Sequence, residues 1–522
     1  MIDFNVKNNY KIASFVRNFC FINLTINTLS ICIFLYSKMV SKSNILSSSF
    51  EEEEKAQHHH VEHTPYVKSE AEKRFVRKLN IRLLPLAMFI IFLQFVDKAA
   101  LSVAAVLGII QDTGMSLTQY SWLGALFYLG YFVFQLPNNY FLQRFPVGRY
   151  LGTLLICWGA VTIGTAFGKN FTQLAVLRVF LGIFEAGSYP ALLIIFNTLY
   201  RRSEQSACFG FLYLSNGLAS IVGSAAAVGI ASMGNRYGIS AWQWGYIIWG
   251  TITVAVGITC FFALIDSPNS WVLQLTEEEK EIVELRTRDN AVVRKQTVKV
   301  AQYWEALREP RLWLLCIASL AHNLQNGGLV TYSTVLVSGL GFNSTQSILL
   351  QIPSGAFTVL YCGFAVYLNR RTKQIVYTAV VCYSISALGC LLLAVLPNTG
   401  IKLLGYYLSW AQTGSYVMLI TVIGSTVSGY SKKIFYNGAN MLAYTVGNFC
   451  GPLMLVESTK PAYVPTMWGF FACNLLNICC FLTVRFILAR INKKRLPERS
   501  SEPTDVYLNL TDKEDRNYNY QL

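Results

Sequence analysis

The chain has 522 residues, of which 53% are hydrophobic and 14% charged, with 33 Phe, 29 Tyr and 10 Trp. A soluble surface needs about a quarter of its residues charged, so this composition excludes ordinary soluble enzymes and points to a chain whose outside faces lipid. The formal net charge of +15 would suit a nucleic-acid partner only if the basic residues formed one patch, and they are spread along the chain.

Residues 1–80 read as a cytoplasmic tail. Within it, segment 19–36 is apolar but marginal in length and interrupted by Asn23, Thr25, Asn27, Thr28 and Ser30. It either inserts, serves as a targeting segment, or precedes a translation start at Met39. Residues 42–68 have the composition of a disordered tail and carry an acidic run at 51–54 and His58, His59, His60 and His63. Without cysteine partners these histidines read as solvated rather than as a metal site.

Apolar runs of about 20 residues, long enough for a helix to cross the hydrocarbon, then recur about twelve times. They fall near 81–107, 120–142, 150–167, 174–199, 207–233, 244–264, 312–336, 348–368, 375–396, 403–427, 435–456 and 465–488. This predicts an all-α membrane protein with six helices in 81–265, a cytoplasmic linker in 266–310, six helices in 311–489 and a cytoplasmic tail in 490–522. Two halves of six helices are expected of a transporter built from parallel repeats, with its site between them near the bilayer midplane.

Alternate loops differ in charge. One set carries Arg74, Arg77, Arg144, Arg149, Arg201, Arg202, Arg370, Arg371, Lys432, Lys433, Lys493 and Lys494; the other has little beyond Lys169, Arg236, Lys402 and Lys460. The bias of Lys and Arg toward the cytoplasm then places both termini inside. Sequons at Asn170 and Asn343 fall in predicted external loops, and two more stand at Asn23 and Asn509. The 13 cysteines are scattered, many in apolar runs, and form neither a disulfide framework nor a zinc pattern.

An ionisable group inside a span costs about 2.5–3.5 kcal/mol on insertion scales, so each one kept there marks a functional candidate. Asp97 and Lys98 lie in the first span, Arg178 and Glu185 in the fourth, and His322 in the seventh. Asp97 falls near mid-depth; Arg178 and Glu185 share a helix face about 10 Å apart along the axis. Such groups suit coupled anion transport, in which a carboxylate substrate needs a cation and a proton needs a carboxylate whose protonation burial favours. The plainer alternative is mutual neutralisation, Asp97 with Lys98 and Arg178 with Glu185, although buried pairs are weak stabilisers. His322, beside Asn323, Gln325 and Asn326, is either a proton relay or a satisfied polar residue. Tyr128, Tyr131, Tyr332, Tyr361 and Tyr444 are candidate cavity aromatics. Gly217, Gly223 and their small neighbours in the fifth span read as close-packing positions, and Pro137, Pro190, Pro353 and Pro452 as interruptions.

At these residues a resemblance becomes specific. The stretch Phe95-Val96-Asp97-Lys98-Ala99-Ala100-Leu101, the stretch from Leu177-Arg178 through Glu185-Ala186-Gly187 to Pro190, Asn326-Gly327-Gly328, Gln351-Ile352-Pro353-Ser354-Gly355 and Ser428-Gly429-Tyr430-Ser431-Lys432-Lys433 resemble the major facilitator superfamily. Within it they resemble the anion:cation symporter family, particularly its fungal allantoate permease branch. The loop after the second span departs from the superfamily signature, with Asn139, Gln143, Arg144, Gly148 and Arg149 where a Gly, an Asp and basic residues are usual. Lys98 stands where relatives often carry arginine, which replaces a bidentate fork by a point charge.

The resemblance implies proton-coupled import of a small organic anion of the allantoate, ureidosuccinate, vitamin-acid or dipeptide class by alternating access. Lys98, Arg178, Asn326, Tyr332 and Tyr444 are expected to bind substrate, and Asp97, Glu185 and His322 to couple protons. No enzyme activity, cofactor, metal or nucleic-acid partner is expected. A monomer in the plasma membrane is the expected form. The rival reading is a non-transporting nutrient receptor with a transporter fold, signalling through its tails.

Overall fold

The computed structural model describes residues 69–495 and 510–521, apart from 268–269, 278, 284–285, 287–298, 398–399, 461–462 and 516. The apolar segment 19–36, Met39, the acidic run 51–54, the tail histidines and the sequons at Asn23 and Asn509 lie outside them. The first six helical rods are Glu70–Val106, Leu117–Arg144, Val147–Thr165, a fourth divided into Phe171–Glu185 and Ser188–Leu199, Arg202–Met233 and Ala241–Ala263. A linker helix, Val300–Leu307, precedes the seventh, Pro310–Ser338. The eighth is divided into Ser344–Leu349 and Gln351–Thr372, the ninth is Ile375–Val395, and the tenth is divided into Lys402–Ser409 and Gln412–Thr426. Tyr430–Leu453 and Val464–Arg495 are the eleventh and twelfth. No strand occurs among the described residues, only an isolated bridge between Arg236 and Ile239.

Eight of these rods are by themselves long and apolar enough to cross a membrane. The second, seventh, tenth and eleventh are not among them. These four carry amide, hydroxyl or basic residues within them, or are divided, and several of those groups, among them Ser121, Asn323, Gln325, Gln412 and Asn448, are buried against protein.

Local sequence sets the helix starts. Ser116, Ser240 and Asn343 begin helices through capping boxes with a glutamine three residues on, and Asn170 caps the fourth helix by accepting from Gln173 N at 3.0 Å. Asn170 and Asn343, the two sequon asparagines, thus hold helix ends. The break in the fourth rod falls at Ala186-Gly187, just before Pro190, whose ring cannot donate the next backbone hydrogen bond.

The second helix packs on the fourth, the third on the sixth, the seventh on the eleventh and twelfth, and the ninth on the twelfth. Between the two sets of six, the second meets the eleventh and the fifth meets the eighth. The apolar core follows this plan unevenly. At the end bearing the loops 108–116 and 339–343, one cluster joins both halves through Leu101, Tyr120, Trp242, Leu329, Tyr332 and Tyr463. Toward the opposite, basic end the core is split into an amino-terminal cluster around Leu79, Leu151 and Phe196 and a carboxy-terminal cluster around Leu315, Tyr383 and Phe481.

The departure in the loop after the second helix has a structural counterpart. Asn139 is exposed, while its neighbour Asn138 is fully buried and accepts from the Tyr150 hydroxyl at 3.0 Å. The carboxylate at this corner comes instead from Asp266, beyond the sixth helix, which accepts from Gly148 N at 3.0 Å.

Candidate functional site

The buried face of the fourth helix is Leu174, Arg178, Leu181, Gly182 and Glu185, an i, i+4, i+7, i+8, i+11 stripe. Its depth is set by glycine: a Cβ on Gly182 would overlap Phe127 O of the second helix, and one on Gly130 would overlap Val179 O in return. The two backbones therefore touch, which carries Arg178 and Glu185 into the protein interior.

One pair of these charges joins two helices directly. Lys98 Nζ lies 2.8 Å from Glu185 Oε1, with Glu185 fully buried and the lysine side chain 16% exposed. Neither Glu185 oxygen accepts a well-aligned hydrogen bond among the described residues, so the contact is an ion pair. Lys98 also sits 5.7 Å from the centroid of Phe127. Arg178 donates to Tyr246 Oη of the sixth helix at 2.7 Å and lies over that ring. Asp97 is buried within electrostatic reach of Arg178; one oxygen accepts a long 3.4 Å contact from Thr162, and the other has no hydrogen-bond partner among the described residues. The four charges sum to zero. The neighbouring-pair arrangement, Asp97 with Lys98 and Arg178 with Glu185, is not the one the fold adopts.

On the carboxy-terminal side, His322 is buried, stacked on Tyr416 with centroids 4.7 Å apart and 3.4 Å from Tyr383 Oη. Tyr416 in turn meets Tyr444, which packs against the amino-terminal core cluster and so bridges the halves. An amide chain ties the seventh and eleventh helices: Asn326 donates to Asn448 at 3.0 Å, and Asn448 donates to Asn323 at 2.9 Å. Gln325 points away into the bundle, donating to Ser386 and accepting from Asn474. Lys98, Tyr189, Asn326, Tyr416 and Tyr444 remain half-buried.

Tyr332 stands apart from this group. It is fully buried at the joined end, its hydroxyl 2.5 Å from Ser121 Oγ and its ring edge-on to Tyr120. It belongs to a hydroxyl seam between the halves. Ser102 Oγ lies 2.8 Å from Thr334 Oγ1 and accepts from Thr334 N at 2.9 Å, and Tyr120 Oη donates to Thr331 O at 2.7 Å. The residues that sequence reasoning missed, Tyr246, Thr162, Tyr416, Asn448 and Ser102, carry no charge and no motif; their partners are remote in sequence.

Two voids line the seam between the first and fifth helices. One of about 40 Å³ is bounded by Val96, Ala100, Gly223, Ser224 and Tyr246. The other, a groove of about 810 Å³ toward the basic end, lies between Arg77, Asn80, Met88 and Phe92 on one side and Phe211 and Leu218 on the other.

This fold, with buried charges facing the junction of two six-helix bundles, defines a polytopic membrane transporter rather than an enzyme. The family model for the Major Facilitator Superfamily matches residues 87–452, and the chain belongs to that superfamily. It falls in the fungal branch that resembles allantoate permease. An uncharacterized transporter of Schizosaccharomyces pombe is 31% identical, over 87% of this chain and 90% of its own length. The allantoate permease of Saccharomyces cerevisiae is 29% identical, over 88% of both. The fold is shared with a bacterial homolog of the human lysosomal transporter Spinster in an inward-facing, unoccupied conformation, with TM-score 0.59, 15% identity, and coverage of 80% of this chain and 98% of that one.

Proposed function

We propose that the protein is a proton-coupled symporter that imports a small organic anion by alternating access, with both termini in the cytoplasm of the plasma membrane. The observation that carries this reading is the Lys98–Glu185 ion pair. Glu185 and a substrate carboxylate compete for one ammonium group. While Glu185 is ionised it neutralises Lys98; once Glu185 takes a proton, Lys98 is left to hold the anion. Because the four charges cancel, a monoanion entering with one proton keeps the site neutral, and charge buried in a dry interior is costly. Arg178, fixed by Tyr246, lies within electrostatic reach of Asp97 and acts on the substrate through its field, and Asp97 is the second carboxylate of the coupling pair. Asn326 and Tyr444 supply polar contacts from the other half, and His322, locked between Tyr383 and Tyr416, orients that aromatic wall. Tyr332 serves closure rather than binding. The likeness to an allantoate permease favours ureido-acid anions as first substrates to test.

The test is uptake into vesicles carrying the Glu185→Gln chain. Uphill accumulation under a proton gradient should disappear while exchange of labelled for unlabelled substrate continues. Concentrative uptake by that variant would overturn the assignment of Glu185.

A further inference from the structure

After the twelfth helix the chain returns to the basic end of its own bundle. Residues 510–515 and 517–521 lie against the seventh, tenth, eleventh and twelfth helices and the linker helix. Asp512 is fully buried and ion-paired to Arg311 of the seventh helix and Lys432 of the eleventh, each at 2.8 Å. It also accepts from Ser428 N at 3.3 Å and from Tyr520 Oη at 2.7 Å. Around it Thr511 Oγ1 donates to Glu305 of the linker helix, Tyr518 Oη donates to Ser425 O, and Tyr520 exchanges two hydrogen bonds with Asn492. Arg495 donates to Asp512 O and lies over the Tyr520 ring. Arg311 and Lys432 are themselves almost wholly buried and also pair with Glu309 and Glu305; the third carboxylate, Asp512, is matched by a third cation, Lys513 of the same segment, whose Nζ lies 3.3 Å from Glu309 Oε1.

The amino-terminal half contains the same device with opposite sign. After the sixth helix the chain returns to place Arg286 between Glu72 of the first helix and Glu204 of the fifth, at 2.6 and 2.5 Å, with Arg286 3% exposed and its guanidinium over Phe75. First and fifth helices in one half correspond to seventh and eleventh in the other. One pair presents carboxylates to a returning cation, and the other presents cations to a returning carboxylate.

We propose that Arg311 and Lys432 form a binding site for an aspartate-bearing peptide segment, that residues 510–521 of this chain are its ligand, and that the docked segment clasps the carboxy-terminal helices into one body. The inverted polarity makes the site selective. Asp512 would meet Glu72 and Glu204 at the corresponding place in the other half, where like charges reject it. A buried pair held by several hydrogen bonds at once specifies position even where it adds little net stability.

Hydrogen exchange of the full chain in lipid nanodiscs, read by mass spectrometry, tests this without any substrate. In the unaltered chain the peptide spanning 510–521 should exchange at least tenfold more slowly than an unstructured peptide. In Asp512→Lys that protection should fall at least tenfold and the linker helix should exchange faster, while the peptide around Glu72 and Phe75 is unchanged. Arg495→Ala, which places no charge in the interior, should release the segment in the same direction to a smaller extent. The proposal is overturned by coil-like exchange of 510–521 in the unaltered chain, or by protection that survives Asp512→Lys.

Discussion

Residue by residue, what distinguishes this protein is the way its few buried charges are shared. Asp97 and Lys98 are adjacent in sequence, yet a helix turns about 100° per residue, so adjacent side chains cannot face one partner. The lysine reaches Glu185, while the aspartate turns toward Thr162 of the third helix, within electrostatic reach of Arg178. At the membrane surface the same principle acts on Asp512. Burial alone would raise its pKa, but Arg311 and Lys432 hold its carboxyl below the usual range; Glu309 is held down likewise by those two cations against its own burial. A carboxylate whose folded pKa is depressed contributes stability that is present above its unfolded value, about 3.9 for aspartate, and is lost as pH falls through the folded one. The docked segment 510–521 should therefore be as protected from exchange at pH 5 as at pH 7 and loosen only below about pH 4. A loss between pH 7 and 5 would show that Asp512 is not held by this pair.

Among the elements, the contact of the second and fourth helices is the one on which the site depends. Gly182→Ala drives a Cβ into backbone that cannot rotate away. It should cost about 1–3 kcal/mol, in the range of overpacking, and displace Arg178 and Glu185 together. Gly229→Ala in the fifth helix meets nothing within 4 Å and should be neutral or slightly stabilising. Thermal unfolding of the two variants in detergent, with uptake measured alongside, checks this; equal behaviour would remove the close approach as the cause. The groove of about 810 Å³ between the first and fifth helices contrasts with the tight second–fourth seam. The first helix is thus held less tightly along the fifth than the second is along the fourth.

For the whole molecule, the decisive asymmetry is between the two ends. One apolar cluster crosses the junction at one end and two separate clusters serve the other, so the halves are sealed where Ser102, Tyr120, Ser121, Thr331, Tyr332 and Thr334 meet. If transport requires this seam to part, a Ser102→Cys/Thr334→Cys chain should lose uptake on oxidation and regain it with reductant. The Oγ1–Oγ distance of 2.8 Å brings the two positions close enough for a disulfide with little backbone movement. Full uptake by the cross-linked chain would mean that this end does not open.

Composition and periodicity by themselves determined the class of protein. Runs of about 20 apolar residues can only be helices in lipid, and the alternation of basic loops requires an even topology. They also exposed Asp97, Lys98, Arg178 and Glu185, because a charge inside an apolar run is visible without any fold. The four rods that apolarity alone does not qualify as spans, the second, seventh, tenth and eleventh, show where that signal fades: polar residues such as Ser121, Asn323, Gln412 and Asn448 are buried against other helices there, so the hydropathy that lipid imposes is relaxed. Tertiary structure alone decided who pairs with whom. Tyr246, Asn448 and Tyr416 are ordinary residues in sequence and became site neighbours through helix packing, while Tyr332, equally plausible in sequence, was carried to the closed end. The tail residues 510–521 have no hydrophobic period to announce a structure. Their order comes from contacts with buried charges that the folded bundle has already assembled, and no local sequence rule encodes a partner some 200 residues away, the 201-residue separation of Asp512 from Arg311.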